Sequence, residues 1–254
     1  MNILAVNDDG IKAEGLYRLV ETLSRAADIY VCAPHAQKSV SSHSLNIGLP
    51  LMIDEADFDN AKLAFSITGT PADCVKLGLH ALKERGVEID MLFSGINHGG
   101  NLGTDVFYSG TLGAAREGCF CKKPSVAVSV NSHHPKHFDC ACELALTACQ
   151  NWFGKFDYRT LITINAPNLP KEEVKGVKLT KQGPREYNEW FDIKKSEEGK
   201  TQYFYKGKPI VYTDLDSDID VVAMQDDYAV ITPLMHDLTD YIFLEEMKKW
   251  RIEK

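Results

Sequence analysis

"ILAVNDDGIKAEGLYRLVETLSRAADIYVCAP", residues 3–34, decides the architecture. Ile3–Val6 is a short apolar run that predicts a buried strand. Residues 14–26 carry Leu16, Leu19, Val20 and Leu23 at helical spacing, so one helix face is apolar. Residues 29–33 form a second apolar run, stopped by Pro34. Strand, helix and strand joined by short links make a βαβ unit, so the sheet begins parallel. The first strand ends on two adjacent carboxylates, Asp8 and Asp9. Taken alone, NDDG fits a turn, because Gly accepts positive φ and Asn or Asp bonds nearby backbone. It also fits a cation site, since a divalent ion turns the repulsion of two carboxylates into attraction.

The alternation continues outward. A polar loop rich in Ser and His occupies 35–44, and 45–67 holds strands and connections without clear boundaries. A strand at 64–68 feeds Thr70-Pro71 and Asp73, a helix start with a capping hydroxyl, a first-turn proline and an acid three residues after the cap. Strands are predicted at 89–95, 125–130 and 160–166, and helices at 111–118 and 138–153. Through residue 167 this is a doubly wound α/β core. Past about residue 179 the chain turns polar, β-like and dotted with aromatics, which reads as a hairpin or arm. A late strand at 228–233 and an amphipathic helix at 240–253, with Leu244, Met247 and Trp250, complete the chain.

Bulk properties narrow the function. The chain has 254 residues, 44% of them hydrophobic and 25% charged, as expected of a globular protein with a substantial core. The net charge of −8 excludes a whole-molecule basic field for a nucleic-acid polymer. No apolar run reaches membrane-spanning length, and no secretory leader is evident. Seven cysteines, several in apolar or helical settings, fit reduced thiols and a cytoplasmic location.

In open α/β sheets ligands gather at the carboxyl ends of strands. There the chain places Asn7, Asp8 and Asp9, then Lys38, Ser39, Ser41, Ser42 and His43, then Asn97 with a glycine-rich loop at 97–110. Carboxylate, hydroxyl and amide oxygens suit Mg²⁺ or Mn²⁺ better than zinc or copper. Ser109-Gly110-Thr111 opens a helix, where free N–H groups and two hydroxyls make an anion pocket. The loop is neither a nucleoside-triphosphatase phosphate loop nor a dinucleotide fingerprint. "HHPKHFDCAC", 133–142, offers His and Cys side chains for zinc, but C-x-C spacing in the first turns of a helix separates the two thiols, so it reads as a loop and helix start. Trp190, Tyr203, Phe204 and Tyr205 read as interface aromatics of the arm.

NDDG (7–10), Ser39 with SHSL (42–45), GTPADCV (69–75), SGINHGGNLG (94–103) and YSGTLGAAREG (108–118) together resemble the survival protein E family in order and spacing. TINAP (163–167) and ITPL (231–234) extend the likeness over nearly the whole chain. The resemblance implies a metal-dependent nucleotidase acting on nucleoside 5′- and 3′-monophosphates, with short polyphosphate a further substrate of some members. It implies one divalent cation per subunit, held by Asp8, Asp9, Ser39 and Asn97, and a phosphate held by Asn101, Ser109, Gly110 and Thr111. Asp8 and Asp9 would be the catalytic pair. The implied fold is a three-layer α/β/α Rossmann-like core, about 1–178, in a single domain spanning 1–254. The arm and tail, about 179–254, would be exchanged in a homodimer or homotetramer. The arm lacks the family's D-P-R-G-type turn, and His98 and Gly100 replace residues common in relatives.

Two other readings follow from the residues. A phosphoaspartyl mechanism with Asp8 as nucleophile would call for D-x-D, whereas these carboxylates are adjacent. A non-catalytic anion or metal-binding module would use the same loops. His43, beside the serine loop, could protonate a leaving alkoxide, but a hydrogen-bonded loop histidine is the favoured reading.

Overall fold

A computed structural model of the protein describes residues 1–250. Strand β1 (Asn2–Val6) leads to helix α1 (Glu14–Leu23) and β2 (Asp28–Pro34). Then come β3 (Ile53–Glu55), β4 (Leu63–Ile67), α2 (Pro71–Glu84), β5 (Met91–His98), α3 (Gly110–Phe120), β6 (Ser125–Val130), α4 (Asp139–Asn151) and β7 (Thr160–Ala166). The chain closes with β8 (Val177–Leu179), β9 (Tyr187–Lys195), β10 (Thr201–Pro209), α5 (Asp220–Gln225), β11 (Ala229–Met235) and α6 (Tyr241–Met247).

Alternation along β1 divides the core into two layers. Ile3 and Ala5 pack with Leu16, Leu19 and Val20 of α1 and with Ala141 and Ala145 of α4. Leu4 and Val6 pack with Cys74, Val75 and Leu82 of α2 and with Leu112 and Ala115 of α3. Successive strand side chains point to opposite faces, so an uninterrupted apolar run requires cover on both. The result is the expected three-layer α/β/α core.

The sheet order is β3-β4-β2-β1-β5-β6-β7-β11-β8. β1 is central and pairs in parallel with β2 on one side and β5 on the other. The chain first winds outward through β2 and β4, then crosses back to β5. The winding therefore reverses beside β1, and the crevice outside its carboxyl end is the binding position of such sheets. α2 starts as expected: Thr70 accepts from the Asp73 N–H while Asp73 accepts from the Thr70 N–H, a complete capping box.

Several boundaries differ from the sequence reading. α1 ends at Leu23 rather than 26. The glycine-rich stretch is not all loop: β5 runs to His98, and a 3-10 helix occupies Gly103–Phe107. α6 covers only Tyr241–Met247, and positions 251–253 of the expected helix lie outside the described residues. The division at about residue 178 places 229–235 with the arm, yet β11 returns to the core sheet between β7 and β8. That return depends on pairing with a strand some 70 positions earlier, which no local pattern encodes. β9 and β10 form a separate antiparallel hairpin, one of the two forms expected of this stretch. No helix among the described residues is long and apolar enough to cross a membrane.

Candidate active site

The turn after β1 puts Asp8 under cover and Asp9 at the rim. Asn7 is fully buried and its side-chain amide donates to the Gly10 carbonyl at 2.9 Å, which ties the turn to itself. The Asp8 carbonyl accepts from the Lys38 N–H at 2.7 Å, so the serine loop after β2 is held against the acidic turn. Asp8 is 6% exposed, and its Oδ1 accepts the Thr111 hydroxyl at 2.7 Å. Burial raises the Asp8 carboxyl to about 6; the Thr111 hydrogen bond opposes this and the Asp9 charge adds to it. Asp9 accepts from the Gln37 side chain and from the His98 N–H, each at 3.1 Å. The second carboxylate thereby links the ends of β1, β2 and β5.

Helix α3 points its first turn at Asp8. Ser109 is the N-cap, its hydroxyl accepting from Leu112 N–H at 3.1 Å. The helical ladder starts with Gly113 N–H bonded to the Ser109 carbonyl, so the N–H groups of Gly110 and Thr111 precede it. A Cβ on Gly110 would lie 2.4 Å from Ser41 Oγ and 2.8 Å from Asp8 Oδ2. Glycine is therefore what lets the helix start approach the carboxylate.

The structure thus brings Asp8, Asp9, Gly110 and Thr111 together, with Ser109 capping the same helix. Asn97, at the end of β5, sits one residue from the His98 N–H bonded to Asp9, and its amide donates to Gly99 O at 2.8 Å. Ser39 is exposed, next to the Lys38 that is tied to Asp8. Asn101 is bonded to β6 and β7. Its N–H donates to Asn165 Oδ1 and its amide to Ser129 Oγ, both at 2.8 Å, in a buried polar knot between β6 and β7. Thr111 spends its hydroxyl proton on Asp8 instead of presenting it to an anion.

Ser41 stood in the sequence only as one of several loop hydroxyls. Its Oγ is buried beside Asp8 and Gly110 and has no protein partner. Asn7 Oδ1 is likewise buried and unpartnered. Buried polar atoms are almost always satisfied, so these orphans beside a carboxylate pair fit a site built for a ligand. The donor set is all oxygen, which suits a hard divalent cation. Gln37 and His98 could not be picked out from sequence, because they act on Asp9 through contacts between segments far apart in the chain.

His43 is engaged elsewhere. Its Nε2 lies 2.8 Å from Glu117 Oε2, and Lys76 Nζ lies 2.7 Å from Glu117 Oε1. Burial pushes the Glu117 carboxyl up, but the His43 and Lys76 bonds outweigh it and hold it below the ordinary range. Together with the Ser42 hydroxyl, which donates to Phe107 O at 2.6 Å, this pins the serine loop to the region around α3. At 133–142, α4 begins at Asp139 with Cys140 and Cys142 buried in its first turn, and no three His, Cys, Asp or Glu side chains gather as a metal cluster among the described residues.

Known proteins similar to this chain belong to one family. The family described as Survival protein SurE matches residues 3–189. The chain is 40% identical to the 5′-nucleotidase SurE of Syntrophomonas wolfei, over 98% of this chain and 94% of that one. It is 37% identical to the 5′-nucleotidase SurE of Petrotoga mobilis, over 98% and 99%. Its structure is similar to the crystal structure of the SurE protein from Aquifex aeolicus, with a TM-score of 0.84, 33% identity and 98% coverage of both chains.

Proposed function

Because the chain belongs to the Survival protein SurE family, we propose that it is a 5′-nucleotidase, hydrolysing nucleoside monophosphates to nucleoside and phosphate. The observation that carries this reading is the approach of the α3 N-terminus to the buried Asp8, made through Thr111 and Gly110. A helix start attracts an anion and a carboxylate attracts a cation. Side by side, they fit a phosphate that arrives with a metal ion.

Asp8, Asp9, Ser39 and Asn97 would hold one divalent cation, Mg²⁺ or Mn²⁺, with Ser41 adding a buried hydroxyl beside them. When bound, such an ion supplies charge neutralisation at the phosphoryl oxygens and a more acidic water. The chain's own residues do the rest. The Gly110 and Thr111 N–H groups, with the Ser109 hydroxyl, face developing negative charge on the phosphoryl group. Thr111 fixes the orientation of Asp8, while Gln37 and the His98 N–H fix Asp9. Asn101 supports the phosphate indirectly, by anchoring the glycine-rich loop to β6 and β7.

The reading extends to nucleoside 3′-monophosphates and short polyphosphate, whose terminal phosphoryl group presents the same chemistry. The chain's cysteines are free thiols, which suits a cytoplasmic enzyme. The hairpin exposes Phe191, Ile193, Tyr203 and Tyr205, and α6 exposes Ile242 and Phe243. Apolar surface on that scale calls for a partner, which supports exchange of arm and tail in a homodimer or homotetramer.

The test is phosphate release from nucleoside 5′- and 3′-monophosphates, in EDTA and then with Mg²⁺ or Mn²⁺ restored, for the wild type and Asp9→Asn. Metal-dependent release that disappears in the variant is the expected result. A folded, metal-binding protein that releases no phosphate from any of them refutes the reading.

A further inference from the structure

A nucleoside leaves its phosphate as an alkoxide, a base about as strong as hydroxide. Unless a proton reaches that oxygen, the bond breaks against a steep barrier. Two imidazoles near the carboxylates are unsuited to deliver it. His43 is bonded to Glu117, and the half-buried His98 ring packs against Phe138 with its Nε2 turned away from solvent. A third comes from a different strand. The loop leaving β6 lies beside the end of β5, where Gly99 N–H donates to Val130 O at 3.0 Å. Gly99 has φ +123°, and a Cβ there would lie 3.6 Å from His133 Nδ1 and 3.8 Å from Asn97 Nδ2. The exposed imidazole of His133 and the amide of Asn97 thus border one point on the rim, and the next residue toward the N-terminus from Gly99 bonds Asp9. The loop is fixed on both sides of His133. Asn131 N–H donates to Ala166 O at 2.9 Å, Ser132 N–H to Val130 O at 2.7 Å, and His134 N–H to Ser132 Oγ at 3.2 Å.

We propose that His133 is a catalytic residue, the proton donor to the nucleoside oxygen that leaves phosphorus. The assignment rests on the phosphomonoesterase reading above. In the step, a water oxygen forms a new bond to phosphorus and gives up a proton to solvent. The phosphorus–nucleoside oxygen bond breaks with its electron pair on that oxygen, and the imidazolium N–H proton transfers to it. The alcohol leaves neutral, the phosphate leaves as its anion, and His133 regains a proton from solvent.

The experiment compares two leaving groups in the full chain with Mn²⁺: adenosine 5′-monophosphate, which needs a proton, and 4-nitrophenyl phosphate, whose phenolate does not. In His133→Gln and His133→Ala, turnover of the nucleotide falls about 100-fold, within the span of general acid catalysis, while that of the nitrophenyl ester stays near wild type. Added imidazole restores nucleotide turnover in His133→Ala, and His134→Ala behaves as wild type on both substrates. Retained nitrophenyl turnover also shows that the variants are folded. An equal fall on both esters, or no fall on the nucleotide, overturns the assignment while leaving the phosphatase reading intact. A wild type inert toward both esters refutes that reading and the assignment with it.

Discussion

Asp8→Asn should make the metal-free protein more stable while abolishing its activity. The fold raises the Asp8 carboxyl from 3.8 to about 6, chiefly by burial. A raised carboxyl means that the folded state disfavours the ionised form. Below pH 4 Asp8 is protonated in both the folded and unfolded chains, and it contributes no penalty. Between pH 4 and 6 the folded chain holds more protons than the unfolded one, so stability falls as pH rises. Above pH 6 the full penalty stands: about two units, or roughly 3 kcal/mol at 1.36 kcal/mol per unit. Asparagine is isosteric and uncharged. Its carbonyl oxygen can still accept from Thr111, and its amide can donate to the unpartnered Ser41 Oγ nearby. In EDTA at pH 8 the variant should therefore unfold about 3 kcal/mol harder in urea, or roughly 6–12 °C higher on heating for a chain of this size. The gain should shrink to nothing by pH 4. With Mn²⁺ restored the order should reverse, because the wild type gains binding free energy that the variant lacks. Urea titrations of both proteins at pH 4, 6 and 8, with and without Mn²⁺, measure each part. A variant no more stable than wild type at pH 8 in EDTA would show that the buried charge carries no cost and would refute the argument.

Two more substitutions probe the walls of the site. Glu117→Gln removes the buried charge shared by His43 and Lys76, and at neutral pH it should cost about 1.5–3 kcal/mol, the range for hydrogen bonds to charged groups. Since Glu117 is held below the ordinary carboxylate range, its stabilisation exists above that range and is lost as pH falls. The gap between variant and wild type in urea should accordingly close on acidification, and a gap that widens would reverse the sign argued here. Gly110→Ala inserts a methyl group 2.4 Å from Ser41 Oγ and 2.8 Å from Asp8 Oδ2. It should lower kcat about 100-fold, as a misplacement near 1 Å does, at a stability cost of roughly 1–3 kcal/mol for overpacking. Near-normal kcat with the methyl in place would mean that the helix start does not approach the reacting phosphate.

What the sequence determined by itself is what near neighbours in the chain determine. Residues 3–34 spell the first βαβ unit through apolar runs and helical spacing, and β6 and β7 fall on their expected residues because buried parallel strands are apolar throughout. Thr70, Pro71 and Asp73 announce the start of α2, because a cap is a contact over three residues. The order and spacing of NDDG, SGINHGGNLG and YSGTLGAAREG pointed to the family and to the carboxylate pair. Tertiary structure decided which of those groups meet. Only the crossing of α3 against the end of β1 gives the Thr111 hydroxyl to Asp8 and leaves Ser41 buried beside it. The knot of Asn101 with Ser129 and Asn165 joins the loop after β5 to the ends of β6 and β7. The return of β11 to the sheet, the bond from His98 N–H to Asp9 and the approach of His133 to Gly99 likewise join residues dozens of positions apart. Local propensity acts over one turn or one strand, whereas a site at a switch point collects side chains from several loops, so its residue types are legible in the chain and its bonds are set by packing.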